Sequence, residues 1–94
     1  MKNIDDIAES EIDGLYLKIG ANVKRYRELK GVTQLQLSQA LNLKSVGLIS
    51  QSELYLKNQH FNIKHLYQIA YVLDVDIKDF FDEIDTILPI QKGD

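Results

Sequence analysis

Residues 31–56 read GVTQLQLSQALNLKSVGLISQSELYL, and this stretch decides the fold that we expect. Thr33 and Gln36 have the spacing of a capping box, in which two side chains satisfy free backbone N–H groups at the start of a helix. Leucines at helical spacing follow, and Asn42 tolerates the left-handed backbone of a sharp turn. The pattern predicts a short helix over residues 33–41 that ends in a tight turn.

A further helix is expected directly after this turn, over residues 45–56, with Ser45 as its cap. Two helices joined by a short turn cross at a steep angle. In that geometry the first helix can lie over the backbone of DNA while the second enters the major groove. The inner positions of the second helix are expected to be Val46, Ile49, Glu53 and Leu56.

Helical signals continue on both sides of this pair. Upstream, apolar residues at i, i+3 and i+4 spacing predict a helix over residues 15–29. Downstream, Asn62 is the expected cap of a fourth helix and Asp76 that of a fifth, which Pro89 ends. No alternating strand pattern of convincing length is present. The sequence therefore predicts an all-α, compact five-helix domain.

Composition and charge set the boundaries of this domain. The 94 residues are 45% hydrophobic and 27% charged, which is the balance of one globular domain. Residues 1–17 carry a net charge of −4, residues 18–67 of +6 and residues 68–94 of −5. A basic middle between acidic ends is the charge pattern of a DNA-binding face. We expect an acidic N-terminal extension over residues 1–14, a helix-turn-helix domain over 15–83 and a C-terminal extension over 84–94.

Several classes of function are disfavoured by what the sequence lacks. The chain has no cysteine, and hence no disulfide and no thiolate nucleophile. His60 and His65 are five residues apart, without the i, i+4 spacing of two metal ligands on one helix face. No glycine-rich phosphate loop or Ser-His-Asp grouping is evident, and no apolar run approaches the roughly 20 residues of a bilayer span. We expect a cytoplasmic protein that is not an enzyme, binds no cofactor or metal and contacts no membrane.

Five motifs together resemble a known family. They are Ile19-Gly20-x-x-Val23-Lys24-x-Tyr26-Arg27, Gly31-Val32-Thr33-Gln34-x-x-Leu37-Ser38, Ile49-Ser50-x-x-Glu53, Asn62-Ile63-x-x-Leu66-x-x-Ile69-Ala70-x-x-Leu73-x-Val75 and Phe80-Phe81. In this combination, which covers about residues 18–82, the chain resembles the Cro and lambda-repressor (XRE-type) family of helix-turn-helix proteins. The resemblance implies a lambda-repressor-like fold that binds double-stranded DNA. In the turn the chain departs from the family pattern, because Asn42 replaces a glycine and the path from Thr33 to Ile49 is one residue longer.

The resemblance also implies roles for individual residues. Gln34 occupies the family's phosphate-binding position at the start of the second helix, where the helix dipole favours an anion. Arg27 and Glu53 match a family ion pair, which we expect either to be purely structural or to offer Arg27 to a phosphate as well. Residues that flank the third helix are also expected to contact phosphates. The full set of expected phosphate contacts is Arg27, Thr33, Gln34, Lys44, Ser45, Lys57 and Asn58.

The outer face of the third helix is expected to contact base edges. Gln51 is the main expectation, because its amide can pair with both N7 and N6 of adenine. Ser50 would contact a base edge or a phosphate, and Leu48 either a thymine methyl group or the protein core. Gly47, the fourth expected contact, lies where the helix begins. This helix contains no lysine or arginine.

A homodimer is expected, because one domain with few base contacts binds weakly, whereas two copies contact half-sites one turn of DNA apart. Apolar residues of the C-terminal extension would form either a self-complementary interface or a cap on the domain's own core; they are Ile84, Ile87, Leu88 and Ile90. We therefore expect a transcriptional regulator that represses from a pseudo-palindromic operator. The alternative is a protein-interaction module of the same fold, such as an antitoxin or adaptor, with a protein partner and weak or no DNA binding.

Overall fold

Four α-helices and three short 3-10 turns make up residues 1–83, the part of the chain that the computed structural model describes. The α-helices are α1 (Glu9–Leu29), α2 (Gln34–Ala40), α3 (Gly47–Leu54) and α4 (Ile63–Leu73), and the 3-10 turns are Ile4–Asp6, Leu56–Asn58 and Ile77–Phe81. No strand occurs in these residues. The expected all-α class is therefore confirmed for the described part of the chain.

The first helix is longer than the sequence predicts, because it begins at Glu9 rather than near residue 15. Residues 9–14, which we expected in the N-terminal extension, are therefore its first turns. Acidic side chains in the first turn, Glu9 and Glu11, interact favourably with the positive end of the helix dipole. At the other end Gly31 adopts a left-handed φ of 71°, and the N–H of Val32 donates to the carbonyl oxygen of Arg27 at 3.0 Å.

The third helix is shorter than the predicted span of residues 45–56. The prediction that Ser45 is its cap is wrong, because the helix begins at Gly47 and its N-cap is Val46. The Ser45 hydroxyl, one residue further out, accepts a hydrogen bond from the N–H of Gly47 at 3.3 Å. The helix ends at Leu54 because Tyr55 takes a left-handed conformation with a φ of 54°. The prediction that Leu56 is an inner position is wrong, because Leu56 lies beyond this stop and is 50% exposed.

The predicted fifth α-helix is also wrong within the described residues. Ile77–Phe81 form a single 3-10 turn, after which Asp82 is extended. The amide of Asn22 on α1 donates to the carbonyl oxygens of Phe80 at 2.9 Å and Asp82 at 2.6 Å. These are carbonyl groups that a continuing helix would use for its own hydrogen bonds. The side chain of Asn22 thus fixes the segment to α1 and replaces the next helical turn.

The core lies between the four α-helices and the last 3-10 turn, and α1 packs against α3, α4 and that turn. Its buried apolar residues are Ile19, Val23, Leu37, Leu41, Ile49, Phe61, Leu66, Ile69, Ala70, Leu73 and Phe80. Apart from Phe61, which lies in the connection before α4, they occupy inner positions that the helical spacing predicts. None of the helices formed by residues 1–83 has the length and apolar character needed to cross a bilayer.

Candidate nucleic-acid interface

Glu53, near the end of α3, is the centre of a buried polar cluster that joins three helices. Its Oε2 accepts a hydrogen bond from Arg27 Nε at 2.6 Å, and its Oε1 accepts from Arg27 Nη2 at 3.1 Å and from Gln34 Nε2 at 2.9 Å. Arg27 Nη1 donates to the carbonyl oxygen of Val32 at 2.8 Å. We call Arg27, Gln34 and Glu53 the Glu53 clamp, because one carboxylate connects α3 to the end of α1 and the start of α2.

The charged members of the Glu53 clamp are almost closed to solvent. Arg27 is 6% exposed and Glu53 is 2% exposed. All three nitrogens of the guanidinium donate to acceptors inside the protein. Of the two roles expected for Arg27, these contacts support the structural ion pair and leave little guanidinium surface for a phosphate. Gln34 differs, since it is half-buried and its amide has a second N–H beside the one given to Glu53.

Gly20 lies where α1 crosses α3, and it brings the two backbones together. A Cβ atom at this position would overlap with the carbonyl oxygen of Ser52 and lie 2.8 Å from that of Glu53. A residue without a Cβ is therefore required for this close approach. The inner side of α3, which buries Ile49, Ser52 and Glu53, is held by this contact and by the Glu53 clamp.

The second helix begins with the capping box that the sequence predicts. Thr33 Oγ1 accepts from the N–H of Gln36 at 3.0 Å, and Gln36 Oε1 accepts from the N–H of Thr33 at 2.9 Å. An open groove of about 550 Å³ lies beside this start. Thr33, Gln34 and Val46 are among its lining residues, so the start of α2 and the entry to α3 face the same space.

The expected base-contacting residues lie along α3, where Gly47, Leu48, Ser50 and Gln51 are all half-buried. Helical spacing puts Gln51 on the side of α3 opposite Ile49. Ser50 Oγ donates to the carbonyl oxygen of Gly47 at 3.3 Å, so this hydroxyl has a partner within the helix. The side-chain amide of Gln51 makes no hydrogen bond to any of residues 1–83 and is available for an external partner.

Exposed polar residues lie at both ends of α3. Lys44 and Ser45 precede it in the connection from α2. Lys57 and Asn58 follow it, and both have a positive φ, of 54° and 60°. The four residues expected to flank the helix as phosphate contacts are therefore solvent-accessible.

A cavity of about 300 Å³ lies between α1 and the end of α3, and both basic and acidic side chains line it. Its charged lining residues are Lys24, Arg25, Glu28 and Glu53. The Nε atom of Arg25 is buried and has no hydrogen-bond partner in residues 1–83. Lys24 and Arg25 thus place two basic side chains beside the end of α3, where Glu28 and Glu53 place two acidic ones.

An aromatic stack that the sequence analysis did not predict joins the first half of α1 to the segment after α3. The ring of Tyr16 stacks on that of Tyr55, with centroids 5.3 Å apart, and on that of His60, with centroids 4.0 Å apart. Tyr55 Oη donates to Asp13 Oδ1 at 3.0 Å, and partial burial together with this carboxylate raises the pKa of Tyr55. No sequence signal indicated the stack, since it depends on the left-handed backbone of Tyr55.

Neither a family model nor a curated protein nor a solved structure matches this chain significantly. Among residues 1–83 no group of three or more histidine, aspartate or glutamate side chains is arranged to hold a metal ion. The expected dimer residues Ile84, Ile87, Leu88 and Ile90 lie outside the described residues. The function is therefore inferred from the geometry of α1, α2 and α3.

Proposed function

We propose that this chain is a sequence-specific, double-stranded-DNA-binding regulator of transcription with a lambda-repressor-like, XRE-type domain. The observation that carries the proposal is the rigid attachment of α3. The Glu53 clamp and the Gly20 contact hold its inner side, while the Gln51 amide on its outer side has no internal partner. A helix held in this way fits the major groove of B-DNA, which is about 12 Å wide.

In the proposed complex the outer side of α3 reads the bases. The Gln51 amide pairs with N7 and N6 of one adenine, because its oxygen accepts and its nitrogen donates at the matching spacing. Leu48 contacts a thymine methyl group, while Gly47 lets the backbone approach the base edges closely. Ser50 keeps its bond to Gly47 if it accepts from a base amino group, and it gives up that bond if it donates its hydroxyl proton to a phosphate.

Phosphate contacts on both sides of α3 set the register of the proposed complex. The free amide N–H of Gln34 and the hydroxyl of Thr33 meet one strand beside the groove at the start of α2. Lys44 and Ser45 lie at the beginning of α3, and Lys57 and Asn58 lie after its end. Contacts of this kind position a protein without specifying sequence. We propose that the regulator represses as a homodimer on a pseudo-palindromic operator.

Selection from a pool of random DNA duplexes tests this proposal. The full chain is incubated with the pool, bound duplexes are recovered and amplified, and the enriched sequences are read. We expect a motif with two half-sites about 34–36 Å apart, one turn of DNA. The variant Gln51→Ala, selected in parallel, should lose preference at one base position in each half-site. A pool that remains random after selection with the full chain would contradict the proposal.

A protein-interaction module of the same fold is the second candidate. It is favoured by the lack of any lysine or arginine in α3 and by the exposure of Leu54 (52%) at its end. An antitoxin or adaptor would use such a surface on a protein partner. Recovery of no DNA, together with stable binding of one protein by the full chain through α3, would favour this candidate.

A further inference from the structure

The outer face of α4 exposes aromatic and aliphatic side chains that no residue in 1–83 covers. Tyr71 is 80% exposed, Ile63 68% and Tyr67 67%. Contiguous exposed apolar patches on a folded domain mark interaction sites, and tyrosine is enriched at them. None of these residues belongs to the Glu53 clamp or to α3, so the proposed DNA contacts leave this face free.

A shallow groove of about 440 Å³ runs between this face and the end of α2. The α2 side of the groove contributes Ala40, Leu41 and Asn42, and the α4 side contributes Tyr67, Gln68 and Tyr71. The surface therefore consists of two exposed phenol rings with a groove beside them. A second helix can lie along such a surface with its own large side chains in the groove.

A charged residue lies at each end of the α4 face. Lys64 is three residues before Tyr67, and Asp74 is three residues after Tyr71. Both charged residues are exposed, and neither forms an ion pair within residues 1–83. Spacings of three and four put Lys64, Tyr67 and Tyr71 on one side of α4, and Asp74 is the left-handed C-cap that directly follows its last residue. In the sequence these four residues are symmetric about position 69. Lys64 and Asp74 are each five positions from it, and Tyr67 and Tyr71 are each two positions from it.

We propose that this face binds the same face of a second copy, with the two α4 helices antiparallel about a two-fold axis at position 69. Lys64 of each copy then lies opposite Asp74 of the other, and Tyr67 lies opposite Tyr71. An isologous interface requires such self-complementarity. A partner surface of one charge sign would be repelled at one of the two ends. The proposal names the dimer surface of the proposed regulator and to that extent rests on it, although the pairing itself needs no DNA.

Sedimentation equilibrium of the full chain without DNA tests the surface. Lys64→Asp and Asp74→Lys each replace both opposite-charge pairs with like-charge pairs, whose repulsion adds to the lost attraction. Each should therefore weaken dimerisation by about tenfold or more. The combined variant restores opposite charges and should dimerise as the unchanged chain does. Lys2→Asp makes the same charge change at an exposed position away from α4 and should have no effect. Circular dichroism verifies that each variant is folded, and Tyr71→Glu provides an independent disruption of the same face.

Mixing the two single variants gives the sharpest result. One chain then carries acidic residues at both ends of the face and the other carries lysines, so a mixed pair recovers both ion pairs. Because the mixed pair has no like-charge repulsion, the mixture should associate about tenfold or more tightly than either variant alone. A monomeric unchanged chain overturns the proposal, as does a dimer that none of the α4 variants weakens, which would point to residues 84–94. An α4-dependent dimer that binds no duplex would refute DNA binding and leave this surface standing.

Discussion

Replacement of Glu53 by leucine is the most informative single perturbation of the fold. It removes the acceptor of three hydrogen bonds and leaves the charge of Arg27, which is 6% exposed, without its carboxylate. Removing one partner of a buried ion pair costs about 3–5 kcal/mol of unfolding free energy. A domain of this size has roughly 5–15 kcal/mol in total. Glu53→Leu should therefore leave a folded but markedly less stable protein.

A double-mutant cycle separates the pair from its surroundings. Arg27→Met should also be strongly destabilising, because it leaves the Glu53 carboxylate buried with Gln34 as its only side-chain donor. The chain that carries both changes should lose much less than the sum of the two, since no buried charge remains uncompensated. Urea unfolding followed by far-UV circular dichroism measures all four free energies.

The ion pair between Lys18 and Glu83 provides a matched control. Its charged atoms are 2.8 Å apart, but its side chains are 27% and 73% exposed. Surface pairs of this kind contribute about 0–1 kcal/mol, so Lys18→Met should change little. A loss for Glu53→Leu no larger than that for Lys18→Met would refute the claim that the Glu53 clamp holds α3. Additive losses in the cycle would refute it equally.

Three further predictions concern the helix crossing, the cap of α4 and base recognition. Gly20→Ala should lower the free energy of unfolding by about 1–3 kcal/mol, because the added Cβ overlaps with the backbone of α3. Gly14→Ala is the matched control: its Cβ would have nothing within 4 Å, so it should stabilise α1 by about 0.5–1 kcal/mol. Equal effects of the two variants in urea unfolding would contradict this prediction. Burial, together with the nearby charges of Lys64 and His60, lowers the pKa of His65 below its ordinary value of 6.5. The unfolded chain therefore binds more protons below that pH, and the free energy of unfolding should fall as the pH drops through it. If His65→Gln left this pH dependence unchanged, the prediction would be contradicted. Gln51→Ala should lose about 1–3 kcal/mol of DNA-binding free energy at one base position, whereas a uniform loss across sequences would show that Gln51 reads no base.

Local signals in the sequence were sufficient to predict where a helix begins when a side chain caps its first backbone N–H groups. The Thr33 capping box forms as the spacing predicts, with Gln36 as the returning side chain, and Asn62 is the cap of α4 as predicted. These interactions involve residues three positions apart, so no knowledge of the tertiary fold is needed. The pairing of Arg27 with Glu53 was expected only from the resemblance, because the two residues are 26 positions apart.

Tertiary contacts decided the elements that the sequence did not reveal. The segment after Asp76 has a helical apolar pattern, yet Asn22, 58 residues before Phe80, takes the carbonyl groups that would extend it. The left-handed conformation of Tyr55, which ends α3, is uncommon for a residue other than glycine. Gly20 was part of a recognised motif, but only the crossing of α1 and α3 explains why a glycine is needed there.

Fluorescence anisotropy with a labelled duplex from the region upstream of the chain's own gene tests the central claim most directly. A scrambled duplex of equal length serves as control, and both are titrated at two salt concentrations. We predict selective binding of the upstream duplex that weakens steeply with salt, with a slope that reports the number of phosphate contacts. Absence of binding to either duplex at the lower salt concentration would contradict the claim that this protein is a DNA-binding regulator.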